Sequence, residues 1–257
     1  MVVPELTGGL CNQLYQVCAA IEYSKLHNMP YAIPTKTTNV RWKSYKLGKV
    51  LYRDYNTSGF FKHEHHDIRY NERPYNIRYE PIPFHKDILL KGHFLSHKYF
   101  SVYRSTNLSM LGFNWNYRPS TIAVHTRVGD YKKLSQYLPV LSLEYYQKAV
   151  RMAFGRTGID EILVFGEDFE HNQKYFTKEN FPYLKSISFS VGKNEIEDLE
   201  SMSGCPVLVA ANSTYSIWAN YLNHHRYKIM IAPKQYYGPA YGYVDCGDLW
   251  PEKTILV

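Results

Sequence analysis

The 257-residue sequence lacks several features that would assign it to a particular class of protein. It contains no apolar run of roughly 18 residues, which a membrane-spanning helix needs. It has no long block of like charges and therefore no polybasic arm. Its four cysteines form no Cys-x-x-Cys pair, and no Asp-x-Asp pair is present to hold Mg²⁺ or Mn²⁺. These absences predict an intracellular protein with reduced thiols, no membrane span and no bound metal.

What the sequence does contain is a sizeable apolar fraction and a positive charge. Hydrophobic residues make up 45% of the chain, enough for a globular protein with a buried core. The formal net charge is +7 and the pI is about 9.0, which favours an anionic ligand but also fits nucleic acid or a membrane surface. The 25 tyrosines could stack on sugars, although most are expected in the core.

The most informative stretch is residues 122–131, which reads Ile-Ala-Val-His-Thr-Arg-Val-Gly-Asp-Tyr. Its three apolar residues predict the end of a buried strand, and Gly129 predicts a turn just beyond it. His125 and Arg127 then share one side of the strand's carboxyl end, where open α/β sheets bind ligands. A guanidinium there can grip a phosphate with two hydrogen bonds. The alternative is a structural ion pair between Arg127 and Asp130, and the residue types alone leave both interpretations open.

The alternation of strands and helices after residue 118 predicts a parallel sheet built from βαβ units. We therefore divide the chain into domains 1–117 and 118–257. The carboxyl ends of the first, second and fourth predicted strands of this half should meet at one edge of the sheet. Glu167 and Asp168 follow the second of these strands. Asn212, Ser213 and Thr214 follow the fourth strand, where the next helix begins. The N-terminus of that helix can bind phosphate, be capped by Thr214, or both. Asp198, on the preceding helix, is either a partner for guanine or ribose or a solvated helical residue.

The first half opens with a short strand, a Gly-rich turn and a helix predicted over residues 12–27, which is typical of a Rossmann-like unit. Asn12 is a candidate N-cap, and the helix N-terminus behind Gly9 suits an anion. Cys11 is assigned to the loop before the helix. Residues 35–80 give no clear periodicity. The His-Glu-His-His-Asp run at 63–67 lacks the helical spacing of a zinc site and is predicted to be a solvated loop.

The His-x-Arg-x-Gly-Asp-Tyr stretch resembles the signature of the α-1,2-fucosyltransferases, glycosyltransferase family 11. Further segments resemble the same family in the same order, and together they span nearly the whole chain apart from roughly residues 35–80. They lie at residues 8–16, 91–100, 164–168, 198–222 and 231–238. Two departures stand out: Cys11 replaces a glycine of the family pattern, and Val128, expected to face the core, replaces a second arginine.

The resemblance implies an α/β fold of the GT-B type, in which two Rossmann-like domains face each other across a cleft. Domain 1–117 would be the acceptor side, and domain 118–257 would bind GDP-fucose. Arg127 would hold the β-phosphate, His125 would orient the nucleotide, and the turn at Gly9 and Asn12 would lie near the diphosphate or fucose. Asp130 is the first candidate for a general base, with Glu167 and Asp168 as alternatives.

The reaction implied is inverting, metal-independent transfer of L-fucose from GDP-fucose to a glycan. GDP-fucose is here a substrate and not a cofactor. The new bond would be an α-1,2 link to galactose or a similar sugar. Alternatives are another linkage (α-1,6 or protein O-linked), a catalytically degenerate relative, or a non-catalytic basic module that binds nucleotides or RNA. No nucleic-acid partner is expected under the favoured interpretation. The pattern begins within ten residues of Met1, which leaves no room for an anchor and predicts a cytoplasmic location. Neither the acceptor nor the oligomeric state follows from the sequence.

Overall fold

The structure is a computed structural model that describes residues 1–37, 43–50, 52–53, 68–74, 76–190 and 194–257. The predicted loop at 63–67 and part of the unassigned stretch 35–80 lie outside the described residues. In the described part of the chain, no helix combines the length and the apolar character that crossing a membrane requires.

The chain forms two compact units. The first comprises Met1–Phe113 with Asp245–Trp250, and the second comprises Asn114–Val244 with Pro251–Val257. The boundary between the units thus follows Phe113, and a short C-terminal segment packs with the first unit. The assignment of acceptor and donor binding to the two halves stays a prediction.

The first unit contains two small parallel sheets. The strands are β1 (Val2–Pro4), β2 (Ile33–Pro34), β3 (Tyr52–Arg53), β4 (Ile68–Asn71) and β5 (Ile88–Lys91), and the helices are α1 (Leu10–Leu26) and α2 (Arg104–Leu111). In the larger sheet the strand order is β1-β5-β4, with Val3 opposite Leu89, and β2 pairs with β3 separately. A 3₁₀ helix spans His97–Phe100.

Helix α1 begins earlier than the sequence suggested. Its N-cap is Gly9 and not Asn12, and Cys11 lies buried in its first turn and not in a loop. The left-handed residue that the turn requires is Gly8, with a φ of +81°, so Cys11 needs no positive φ. Buried Gln16 accepts from Thr7 N–H at 2.9 Å and donates to Gly92 O at 3.1 Å. It therefore fastens the turn to the end of β5.

The second unit is a doubly wound α/β layer around one six-stranded parallel sheet. The strands are β6 (Ile122–His125), β7 (Glu161–Phe165), β8 (Ser186–Phe189), β9 (Val207–Val209), β10 (Ile229–Ala232) and β11 (Ile255–Leu256). Their order in the sheet is β11-β10-β9-β6-β7-β8. The connecting helices are α3 (Leu143–Thr157), α4 (Phe169–Tyr175), α5 (Glu195–Ser203) and α6 (Thr214–Leu222), with 3₁₀ helices at Gly129–Lys133 and Pro239–Tyr241.

The core of this unit follows from the periodicity of its elements. α3 buries residues at helical spacing, Tyr146, Ala149, Val150 and Ala153, against the sheet. Ser142 caps α3, and its Oγ accepts from the N–H of the residue three positions on. Because β6 and β9 are central strands covered on both faces, they are apolar throughout apart from the residue that ends β6.

Candidate active site

The candidate site is formed by the segments that leave the carboxyl edge of the six-stranded sheet. β6 lies between β9 and β7, so the carboxyl ends of these three strands are neighbours. His125 ends β6, Glu167 and Asp168 follow β7, and Asn212 follows β9. The convergence of strand ends predicted from the sequence is confirmed by this order.

Arg127 is held between two carboxylates. Its Nη1 donates to Glu167 Oε2 at 2.8 Å, and its Nη2 donates to Asp130 Oδ1 at 2.7 Å. The ring centroid of Tyr131 lies 5.3 Å from the guanidinium carbon. A Cβ atom at Gly129 would come within 2.4 Å of Glu167 Oε1, so the glycine lets this carboxylate approach the loop. The structure therefore brings Arg127, Asp130 and Glu167 together.

The arrangement keeps Arg127 charged but does not lock it. Desolvation acts to lower the pKa of Arg127, but Glu167 and Asp130 together raise it above its ordinary value. The side chain of Arg127 is 33% exposed, and both carboxylates are more exposed still. Ion pairs at such exposure contribute up to about 1 kcal/mol. An anionic ligand can therefore displace either carboxylate at small cost.

Asp168 has a structural role and an ionic partner. Its Oδ1 accepts from His171 N–H at 3.0 Å as the N-cap of α4, and its Oδ2 accepts from Lys132 Nζ at 2.6 Å. The hydrogen bond from Lys132, helped by that of His171, lowers the pKa of Asp168. Among the residues that the structure describes, no three His, Cys, Asp or Glu side chains cluster as a metal site would require. The expected independence from metal stays a prediction.

His125 is a buried, neutral imidazole. Its Nδ1 lies 2.7 Å from Ser216 Oγ, its ring centroid is 5.2 Å from that of Tyr215, and its carbonyl accepts from Tyr146 at 3.3 Å. The ring is only 4% exposed. Desolvation, assisted by the nearby charge of Arg127, lowers the pKa of His125 from 6.5 to about 3. At neutral pH this side chain can donate or accept a hydrogen bond but carries no charge.

The neutral state of His125 makes folding stability depend on pH. Below pH 6.5 the unfolded chain protonates this histidine and the native state does not, so stability falls as pH drops from 6.5 towards 3. Because of His125, the free energy of unfolding is expected to fall by about 2 kcal/mol between pH 8 and pH 5. Urea unfolding of wild type and His125→Gln at both pH values measures it, since the variant lacks this loss. Equal pH dependence in the two proteins would contradict a neutral buried His125.

The turn after β9 is organised by buried side chains. The amide of Asn212 donates to Pro139 O at 3.1 Å and to Tyr236 O at 3.0 Å, and the hydroxyl of Tyr131 donates to Asn212 O at 3.1 Å. Ser213, and not the predicted Thr214, is the N-cap of α6, because its Oγ accepts from Tyr215 N–H. Thr214 is the first helical residue, so the N–H groups that open α6 lie at the sheet edge.

The remaining predicted residues are Asp198, Gly9 and Asn12, which lie on other elements of the chain. Asp198 is in the first turn of α5, where its Oδ1 accepts from the hydroxyl of Ser190 at 2.5 Å. Gly9 and Asn12 belong to the first unit, at the N-terminus of α1, and nearby Gln13 donates to Gly8 O and Lys43 O at 2.8 Å each. Binding of the donor by these residues stays a prediction.

The first unit also has a cavity of about 260 Å³. It is lined by Glu5 and Thr7, which follow β1, and by Lys91, Gly92 and His93 at the end of β5. Glu5 and Lys91 form an ion pair of 3.6 Å, and desolvation lowers the pKa of His93. A carboxylate, an ammonium, a hydroxyl and an imidazole in one cavity can bind neutral polyols through hydrogen bonds.

Sequence reasoning missed two residues that shape the site. Ser216 contacts His125, and the hydroxyl of Tyr131 joins the signature loop to the turn after β9. Ser216 lies one helical turn after Ser213, a spacing that could have placed both on the face of α6 nearest the sheet edge. The expectation that Val128 faces the core is confirmed, since it is 2% exposed.

The second unit is thus a doubly wound α/β unit with an ion-paired arginine and a helix N-terminus at the carboxyl edge of its sheet, which is where ligands bind in open α/β sheets. The chain belongs to glycosyl transferase family 11, whose model matches residues 10–241. The resemblance inferred from the sequence is thereby confirmed.

Two curated relatives from Escherichia coli match part of the chain. The O-antigen biosynthesis glycosyltransferase WbnK is 32% identical over 121 residues, which cover 46% of this chain and 39% of WbnK. An alpha-1,2-colitosyltransferase is 29% identical over 121 residues, covering 46% of this chain and 41% of that protein. The chain thus matches well under half the length of either relative.

Two solved structures share the fold. NodZ alpha-1,6-fucosyltransferase co-crystallised with GDP gives a TM-score of 0.51 at 10% identity, covering 85% of this chain and 91% of NodZ. POFUT1 in complex with GDP-fucose gives 0.50 at 13% identity, covering 87% of this chain and 93% of POFUT1. The prediction of a GT-B-like α/β fold is confirmed.

Proposed function

We propose that this chain is an inverting fucosyltransferase that moves L-fucose from GDP-fucose to a glycan hydroxyl, with α-1,2 linkage to galactose or a similar sugar. The observation that carries the proposal is Arg127, a charged and displaceable guanidinium at the carboxyl edge of the sheet. Membership of glycosyl transferase family 11 and the fold likeness to POFUT1 in complex with GDP-fucose support it.

The proposed step breaks the bond between C1 of fucose and the β-phosphate oxygen, and its electron pair leaves with GDP. The acceptor oxygen bonds to C1 from the opposite face and loses its proton. Negative charge grows on the diphosphate as the bond breaks, and Arg127 with the N–H groups that open α6 would stabilise it. Because a guanidinium and backbone amides can supply this stabilisation, the proposed reaction needs no metal.

Asp130 is our candidate for the base that takes the acceptor proton. Its Oδ1 accepts from Arg127, and its side chain is 54% exposed. In the described part of the chain its Oδ2 makes no hydrogen bond, so one oxygen remains for a substrate hydroxyl. Orienting Arg127 and accepting a proton are compatible roles for the two oxygens.

A second donor is favoured by one specific observation, the 29% identity to an alpha-1,2-colitosyltransferase. Colitose differs from fucose by lacking the 3-hydroxyl, so GDP-colitose would present the same diphosphate to Arg127. A site that hydrogen-bonds the 3-hydroxyl would reject GDP-colitose strongly, whereas an apolar surface there would accept it.

The decisive experiment incubates the protein in EDTA with methyl β-galactoside and either GDP-fucose, GDP-colitose or GDP-mannose. We expect transfer from GDP-fucose, with NMR of the product showing an α-1,2 link. An α-1,6 product would correct the linkage, and preference for GDP-colitose would correct the donor. Calorimetry of the same nucleotide sugars separates donor binding from acceptor choice. Binding of polyanions without any binding of nucleotide sugars would refute the proposal and favour a non-catalytic basic module.

A further inference from the structure

The hydroxyl of Ser216 lies between a backbone amide and the imidazole of His125. Ala211 N–H donates to Ser216 Oγ at 3.0 Å, and His125 Nδ1 lies 2.7 Å from the same oxygen. Ser216 is 0% exposed and His125 is 4% exposed, so water does not compete for these bonds. In the described part of the chain, these are the only hydrogen bonds of this hydroxyl.

The direction of the bond between Ser216 and His125 follows from counting hydrogens. A serine hydroxyl has one hydrogen to donate, and Ala211 N–H already occupies one of its lone pairs. If Nδ1–H donated to Oγ, the buried hydroxyl hydrogen would have no acceptor, which costs the desolvation of that group. The arrangement that satisfies every group has Ser216 O–H donating to an unprotonated Nδ1. A neutral ring then carries its hydrogen on Nε2.

We propose that Ser216 is a positioning residue that fixes His125 as a neutral Nε2–H donor at the carboxyl end of β6. Within the described residues Nε2 makes no hydrogen bond, and Arg127 follows two positions along the chain. The Nε2–H group would donate a hydrogen bond to an oxygen of the GDP moiety. This assignment of the ligand rests on the proposed function. In this tautomer neither ring nitrogen is free to accept a proton from the acceptor sugar, so His125 binds substrate and is not the general base.

Nitrogen-15 NMR of histidine-labelled protein tests the tautomer directly. Long-range ¹H–¹⁵N spectra distinguish the two nitrogens, and the signal of His125 is assigned by its loss in His125→Gln. We expect an unprotonated Nδ1 and a protonated Nε2 that do not titrate between pH 5 and pH 8. A protonated Nδ1 in the wild type would overturn the proposal, whatever the ligand proves to be.

The positioning role is tested with Ser216→Ala, and Ser201→Ala serves as the control because Ser201 is also buried but, within the described residues, makes no hydrogen bond to His125. We expect Ser216→Ala to mix the two tautomers and to weaken GDP binding about tenfold, and Ser201→Ala to do neither. GDP and inorganic diphosphate titrated in parallel show whether the loss falls on a phosphate oxygen or on guanosine. Ser216→Cys, with a weak S–H donor, gives an intermediate result if the alanine variant does not fold.

Two results separate this inference from the proposed function. Full GDP affinity in Ser216→Ala together with an unchanged tautomer would overturn the positioning role while the enzyme assignment stood. Absence of GDP and GDP-fucose binding in the wild type would refute the proposed function, and the NMR spectra would still decide the tautomer.

Discussion

Arg127→Ala is expected to lower the rate of sugar transfer by roughly a hundred- to a thousandfold. In the proposed mechanism the guanidinium stabilises the leaving diphosphate, and both of its Nη atoms already donate to carboxylate oxygens, at 2.7 and 2.8 Å. Removing it also leaves Asp130 and Glu167 facing the site as uncompensated negative charges, which repel the diphosphate. Single-turnover rates and calorimetric affinities for GDP-fucose together measure the effect.

Two further variants serve as controls for this prediction. Arg127→Lys keeps the charge but loses the planar fork, and we expect it to recover only part of the activity. Arg156→Ala removes an exposed arginine from the last turn of α3 and should leave both rate and affinity unchanged. A rate for Arg127→Ala within about threefold of wild type would show that the guanidinium does not stabilise the leaving diphosphate.

Glu22→Ala is expected to reduce the free energy of unfolding by about 3–4 kcal/mol. Glu22 is 2% exposed on α1, and its carboxylate accepts from Val102 N–H at 2.7 Å, from Tyr103 N–H at 3.2 Å and from the Asn107 amide at 2.7 Å. The N-cap of α2 is Tyr103, which supplies no capping oxygen of its own. Glu22 therefore caps α2 from another helix, and its loss leaves one buried amide and two partly buried N–H groups without this acceptor.

Urea unfolding followed by circular dichroism measures this loss of stability. Glu22→Gln keeps one acceptor oxygen and the shape of the side chain, so about half the loss is expected. Glu179→Ala removes an exposed glutamate and should change stability by less than about 0.5 kcal/mol. If Glu22→Ala unfolded at the same urea concentration as wild type, the capping role of Glu22 would be wrong.

The sheet of the second unit could be predicted because its local signals agree with one another. Apolar runs such as Ile122–His125 are too short for helices, and Ser142 marks the start of α3 both by residue type and by position. Parallel strands separated by helices place their carboxyl ends at one edge, so the sequence alone points to both Arg127 and Glu167, whose side chains are hydrogen-bonded at 2.8 Å.

What could not be predicted depends on contacts between distant parts of the chain. The hydrogen bond between His125 and Ser216 joins residues 91 positions apart, and the cap that Glu22 provides acts across 80. Helix ends were misplaced where two adjacent residues can cap equally well, as with Ser213 and Thr214. The start of α1 was missed because Gly9 provides no side-chain signal, while Asn12 has the composition of a cap.

The assignment of Asp245–Trp250 to the first unit has a consequence for dissecting the chain. The polypeptide passes between the units three times, after Phe113, after Val244 and after Trp250. No single cut therefore yields two complete pieces. A fragment ending at residue 113 lacks the segment Asp245–Trp250 and with it the carboxylates that pair with Arg78 and Lys98. A fragment beginning at residue 114 contains this segment but lacks Arg78 and Lys98. The two units of this chain therefore have to be expressed together.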